Sequence, residues 1–346
     1  MKVLFIGGTG NISTACTRLA LDKGIELSLF TRGLSPRFAP EGARIISGDI
    51  RDTHQAAQLK DLDFDTVVDW VAYTLEDVER DLSLFRGRIR QYIFISSASA
   101  YRKPPLHYLI SESTPIANPF WQYARDKIAC EERLNRAFRE EGFPACVVRP
   151  SLTYGETWLP CAIGGHDYTL VDRMKRGKKA IVHGDGQSLW VMTHNSDFAK
   201  GIIGLFGNPR TLGEQYHITS DEVLSWDQIY RIIGRAAGVE PDLIHIPSDF
   251  VRLFDERIGA GLLGDKAYSV VFDNSKVKAA VPGFQATVSF EEGIKRCLDW
   301  FDSDPNRKAI TAGTNQVMDR IIERYESAYA PDFSRSGPIR RDRFSI

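Results

Sequence analysis

A doubly wound α/β fold followed by a smaller α/β lobe is the architecture the sequence predicts. Two observations carry that expectation. Over residues 1–150, short runs rich in β-branched and aromatic residues alternate with stretches of helical periodicity. The runs are continuously apolar, the pattern of strands buried on both faces of a parallel sheet. After Pro150 the texture changes: glycines and turns become frequent, strands shorten and helices are interspersed.

The strand candidates are KVLFIG (2–7), ELSLF (26–30), ARIISG (43–48), TVVDWV (66–71), QYIFIS (91–96) and ACVVRP (145–150). Helices are expected over 13–24 and 123–142, the second burying Ile128, Leu134 and Phe138 at helical spacing. Residues 151–304 supply AIVHG, LWVMTH, QYHITS and the helix WDQIYRIIGRAAG, expected to form mainly a substrate lobe. Elements from about 181–206 are expected to complete the first domain. Residues 305–346 carry one amphipathic helix candidate (NQVMDRIIERYESAY). A polar end follows, whose Arg335, Arg340, Arg341 and Arg343 fit a solvated tail.

The 346 residues carry a formal net charge of -1, which gives no general electrostatic attraction to nucleic acid. No apolar run approaches the roughly 18 residues needed to span a bilayer. The chain opens directly on an apolar strand, so the expected compartment is the cytoplasm. Five scattered cysteines without a C-x-x-C pair argue against a disulfide framework or a structural zinc site.

The first strand runs into Gly7-Gly8-Thr9-Gly10-Asn11-Ile12-Ser13 and then a helix. Such a turn lets backbone N–H groups approach a pyrophosphate while the helix N-terminus stabilises its charge. Gly7 is expected to make the tight turn and Gly10 the close approach, with Ser13 as the small third residue. This makes the first domain a Rossmann-type dinucleotide site. An acid at the end of the second strand would bind the adenosine ribose and repel a 2′-phosphate; here stands Thr31-Arg32-Gly33. A guanidinium there favours NADP, with NAD as the alternative. After the third strand, Asp49 is placed to accept from an adenine amino group and Ile50 to pack on the base.

Tyr123 and Lys127 stand four apart, on one face of a helix. A phenol ionises near pH 10, and a nearby ammonium lowers that value and can hold a ribose. Upstream, YIFISSASAY ends the fifth strand at the ligand edge of the sheet, where Ser97 can share a developing charge with Tyr123.

With GGTGNIS, GDIRD, VVDWVAY, ISSASAY, YARDK, RPSLTYG and GDGQSLWVMTHNSDFA, the chain resembles the extended short-chain dehydrogenase/reductase family. The likeness is to its NAD(P)-dependent epimerase/dehydratase branch and covers roughly residues 1–300. The resemblance implies Ser97, Tyr123 and Lys127 as the catalytic triad. It implies Gly7, Gly10, Asp49 and Ile50 as cofactor contacts, joined by Thr9, Asn11, Ile12 and Pro150. Ala72 would be the small residue that lets the cofactor pass the fourth strand, with Tyr123 and Lys127 on the nicotinamide ribose. The resemblance also implies a homodimer joined through the 123–142 helix.

Three departures narrow the activity. Family dehydratases carry acids just after the Ser/Thr of the fifth strand, where this chain has Ala98 and Ser99, which disfavours elimination of water. Leu152 stands where a substrate-contacting Asn is usual, and Trp190 where an Arg commonly binds a nucleotide diphosphate. An indole cannot pair with phosphate; it either stacks on a sugar ring or base, or fills the core of the second lobe. These changes favour a polyhydroxylated small molecule without a diphosphate: a sugar, cyclitol or nucleoside. The substrate-side candidates are Ser99, Tyr101, His166 and Trp190. The leading expectation is an epimerase acting by transient oxidation, with an NADPH-dependent reductase using the same residues as the alternative. A non-catalytic RNA-binding or cofactor-sensing relative is the reading of a different class.

Overall fold

The computed structural model describes residues 1–33 and 41–329. The basic positions Arg335, Arg340, Arg341 and Arg343 lie outside the described residues. Seven strands form the central sheet: β1 (Lys2–Ile6), β2 (Glu26–Thr31), β3 (Arg44–Ser47), β4 (Thr66–Asp69), β5 (Gln91–Ile95), β6 (Ala145–Pro150) and β7 (Gln215–Ile218). Their order is β7-β6-β5-β4-β1-β2-β3, every pairing parallel. The longer helices are α1 (Ser13–Asp22), α2 (Leu75–Phe85), α3 (Gln122–Glu141), α4 (Asn195–Gly204), α5 (Trp226–Ala236), α6 (Phe290–Asp302) and α7 (Ala312–Tyr329).

The chain winds from β1 outward to β3, then restarts on the other side of β1 with β4. That reversal opens a crevice at the carboxyl ends of β1 and β4. Two apolar layers cover the sheet. Cys16 and Ala20 of α1 join Phe198, Ala199 and Ile202 of α4 on one face. On the other, Val78 and Leu82 of α2 join Cys130, Leu134 and Ala137 of α3.

The buried stripe of α3 runs through Ala124, Lys127, Cys130, Glu131, Leu134 and Ala137. Of the three apolar residues expected inward, Leu134 is buried, Ile128 is half-buried and Phe138 is exposed. The face turns away from the bulky residues because Lys127 and Glu131 find polar partners inside, and small residues let the helix lie close to the sheet. Gly142, in the left-handed region at φ 67°, ends the helix.

QYHITS, expected in the second lobe, instead supplies β7 and extends the central sheet. Tyr216 and Ile218 are buried there against the layer that holds Val148 and Ile202. Of residues 181–206, only α4 joins the first domain, packing on α1. The strand Ala180–His183 pairs with Leu243–Ile246 in the second lobe. That lobe also holds α5, α6 and α7, with Met318, Ile321 and Ile322 of α7 packed on Ile163, Ile181 and Ile246.

Trp190 belongs to the lobe's core. It lies in the short strand Leu189–Trp190, pairs with Leu224–Ser225, and its ring sits 5.6 Å from that of Trp226. At 1% exposure it cannot stack on a substrate, which corrects that expectation. Trp190→Ala is therefore expected to cost about 3–5 kcal/mol of stability in chemical denaturation. A variant of unchanged stability that binds substrate poorly would contradict the core assignment.

Candidate active site

A cleft of about 810 Å³ opens at the carboxyl ends of the central strands. The β1–α1 turn forms one wall. Gly7 and Gly8 both adopt positive φ, at 96° and 104°, conformations that side chains rarely take. A Cβ on Gly8 would fall 2.8 Å from Leu29 Cδ2 of β2, so the turn packs against that strand with no room for a side chain. Around Gly10 a Cβ would meet only Ser13 Oγ, at 3.5 Å, and its N–H donates to that hydroxyl. No side chain caps α1 at Ile12, which leaves the helix N-terminus able to receive an anion. These features fit a dinucleotide pyrophosphate.

Thr9, Asn11, Ile12, Arg32, Asp49, Ile50 and Pro150 line the same cleft. Arg32 Nη1 stands 4.0 Å from Asp49 Oδ2, both side chains well exposed. Asn11 also staples the turn to neighbouring segments. Its Nδ2 donates to the Thr153 carbonyl, and its own backbone carbonyl accepts from Asn195 Nδ2. Ala72 is wholly buried and lies outside the lining, although Trp70, Val71 and Tyr73 border the cleft. Its contribution is its carbonyl oxygen, 2.6 Å from Lys127 Nζ.

Ser97, Tyr123 and Lys127 meet in this cleft. Ser97 caps a short turn, its Oγ accepting from the Ser99 N–H and hydroxyl. Lys127 Nζ donates to the carbonyls of Ala72 and Ile95 at 2.6 and 2.7 Å, and lies 5.9 Å from the Tyr123 ring centroid. Burial pushes the Lys127 amine down to about 8. Burial also pushes the Tyr123 phenol above its ordinary value, while hydrogen bonding from Ser97 pulls the other way. The expected lowering by Lys127 is not what the free cleft presents, because the ammonium is spent on carbonyls.

The family model of the NAD dependent epimerase/dehydratase family matches residues 3–219. The chain belongs to that family. The resemblance carried by the glycine turn, the fifth strand and Tyr123 is thereby borne out, as is an enzyme of the nicotinamide-dependent oxidoreductase type. A 2'-dehydrokanamycin reductase of Streptomyces kanamyceticus is 24% identical over 290 residues, 82% of this chain and 80% of that one. A chloroplast stem-loop binding protein of 41 kDa from Arabidopsis thaliana is 26% identical over 265 residues, covering 72% and 67%. The NAD complex of a UDP-glucuronic acid 4-epimerase from Bacillus cereus shares the fold, with TM-score 0.69 and 18% identity over 88% of this chain and 97% of that one.

On the substrate side, the family member departs from its sequence-level expectations. Tyr101 is buried, its hydroxyl 3.0 Å from His217 Nδ1 and its ring beneath the Arg149 guanidinium. It stands outside the cleft lining, as does Trp190, because both complete apolar cores. Ser99 and His166 do line it, and so does Leu152. Sequence reasoning missed Tyr73, Trp121, Trp158, Asp265 and Lys266, which share that lining. Trp121 was within reach, two residues before Tyr123 and with its ring centroid 4.8 Å from that of Tyr123. Asp265 and Lys266 arrive on a π-helical turn, Leu262–Lys266, that no spacing in the sequence announces.

The phenol of Tyr123 should show no phenolate absorbance at 295 nm below about pH 10, the ordinary tyrosine value, in the cofactor-free protein. The check is a titration of wild type against Tyr123→Phe. A phenolate near pH 7 that disappears in the variant would contradict this charge balance.

Proposed function

We propose that this chain interconverts a hydroxyl and a ketone on a polyhydroxylated small molecule, with Tyr123 as acid and base. The observation that carries the proposal is the convergence of Ser97, Tyr123 and Lys127 with the glycine turn on one cleft. A nicotinamide dinucleotide bound along that turn would supply the acceptor and donor of hydride. Lys127 would hold the ribose end of such a cofactor, and Arg32 would lie near its adenosine end, where a guanidinium would favour a 2′-phosphate and hence NADP.

As the phenolate that an oxidised, cationic nicotinamide would favour, Tyr123 takes the proton of the substrate hydroxyl while the carbinol carbon gives its hydride to that cofactor, and Ser97 hydrogen-bonds the substrate oxygen as it gains carbonyl character. Ala98 and Ser99 offer no carboxylate for removal of water, so the ketone is not carried on to elimination. Return of hydride to the opposite face makes the enzyme an epimerase. A one-way NADPH-dependent reduction is the second reading, supported by Arg32 and by the likeness to a reductase.

Net cofactor consumption separates the two. Epimerisation predicts turnover without net NADPH loss, whereas the reductase reading predicts one NADPH consumed per product formed. In both, Tyr123→Phe should lower kcat by about 10²–10⁴-fold with little change in cofactor Kd. Unchanged turnover in that variant would remove Tyr123 from the chemistry. RNA binding without cofactor affinity would replace the enzymatic reading altogether.

A further inference from the structure

The second lobe offers the cleft a wall that carries two hydrogen-bond acceptors, His166 and Asp265. His166 is, among the described residues, the one non-glycine residue at positive φ, 61°. Such a conformation costs on the order of 1–2 kcal/mol and clusters at functional sites. The imidazole lies stacked on Trp158, ring centroids 3.6 Å apart and planes at 28°, and both rings line the cleft.

The tautomer follows from one contact. His166 Nδ1 is 3.1 Å from the Leu159 carbonyl oxygen, which can only accept, so Nδ1 carries the proton. Burial pushes the ring down to about 4, leaving it neutral at physiological pH. Nε2 is then a bare lone pair, and no partner for it is found among the described residues. Asp265 is a second acceptor on the same wall. The ammonium beside it, Lys266 Nζ, is already paired with Asp265 Oδ2 at 3.3 Å and lies 5.8 Å from the centroid of the Trp121 ring.

The groups that line this wall, one carboxylate, one ammonium and one neutral imidazole, sum to zero charge, while the Lys103 amine is buried beyond the lining, near Asp265 and Lys266, and is lowered by that burial. A nucleoside diphosphate presents negative charge and acceptor oxygens, and would meet lone pairs at His166 and Asp265 with a single, already paired cation. A ring bearing hydroxyl or amino groups offers donors to both acceptors, and its apolar face suits an indole.

We propose that Trp158, His166 and Asp265 form a subsite for an unphosphorylated, donor-bearing ring, a sugar or cyclitol, with His166 Nε2 accepting a hydrogen bond from a ring hydroxyl or amino group. This rests on the reading of the cleft as the site of a polyhydroxylated substrate. It makes His166 a specificity-determining residue and leaves proton transfer to Tyr123.

Binding to the full chain saturated with cofactor tests it, using methyl α-D-glucopyranoside, its 2-amino-2-deoxy analogue and UDP-glucose as probes. At least one unphosphorylated ring should bind more tightly than UDP-glucose. His166→Asn, which tolerates the left-handed backbone but shortens the reach, should weaken that ring about tenfold and shift cofactor Kd less than twofold. Trp158→Leu should weaken the ring as well. Tighter binding of UDP-glucose to the wild type, absence of binding by either simple ring, or equal losses for ring and cofactor in His166→Asn would each overturn the subsite. A wild type that turns over through Tyr123 yet prefers UDP-glucose overturns the subsite alone, leaving the redox reading intact.

Discussion

Arg149 on β6 donates through Nε and Nη2 to the Glu131 carboxylate on α3, at 2.9 and 2.5 Å, with both side chains buried. Ser96, at the end of β5, donates to the same carboxylate at 2.5 Å. Desolvating two charges is costly, and only such close geometry offsets it; removing one partner would strand the other at about 3–5 kcal/mol. One turn earlier on the helix, Lys127 fastens to carbonyls at the exits of β4 and β5. These two fixings set the height and rotation of α3 over the strand ends. Tyr123, one turn further back, inherits its place from them. The Tyr123 phenol thus stands on rigid elements rather than on a loop.

The same burial that fixes the helix shapes its electrostatics. It raises the phenol and lowers the amine, so both shifts favour an uncharged pair. Lys127, committed to two carbonyls, does not ionise Tyr123 unaided. Activation then depends on charge brought by what binds in the cleft, and a proton need not be lost from the free protein. Burial shapes the opposing wall of the cleft too, by keeping His166 neutral and its Nε2 an acceptor.

Much of the first domain was legible because its signals are local. Six strands and the two leading helices fall within about two residues of their sequence patterns, since a continuous apolar run bounded by polar turns leaves little freedom. QYHITS could be recognised as a strand but not assigned to a sheet, because parallel pairing over a long connection leaves no local trace. The inward face of α3 was misjudged because apolar periodicity assumes that polar residues face water. Lys127 and Glu131 break that rule where their partners are carbonyls and a guanidinium. The site divides in the same way. Gly7, Ser97, Tyr123 and Lys127 sit at strand ends or on one helix, so their meeting follows from the fold. Trp158, His166, Asp265 and Lys266 reach the cleft from segments about 100 residues apart, and only tertiary packing unites them. Trp190 shows the reverse: a position suggestive by alignment to a family pattern lies inside a core.

On this reading the cleft holds a nicotinamide dinucleotide with its reactive end at Tyr123. A crystal structure with bound NADP tests it most directly. The pyrophosphate should lie on the Gly7–Ile12 turn, the 2′-phosphate beside Arg32 and the nicotinamide ribose within hydrogen-bond reach of Tyr123 and Lys127. A dinucleotide bound elsewhere, or one whose nicotinamide lies away from Tyr123, would contradict it.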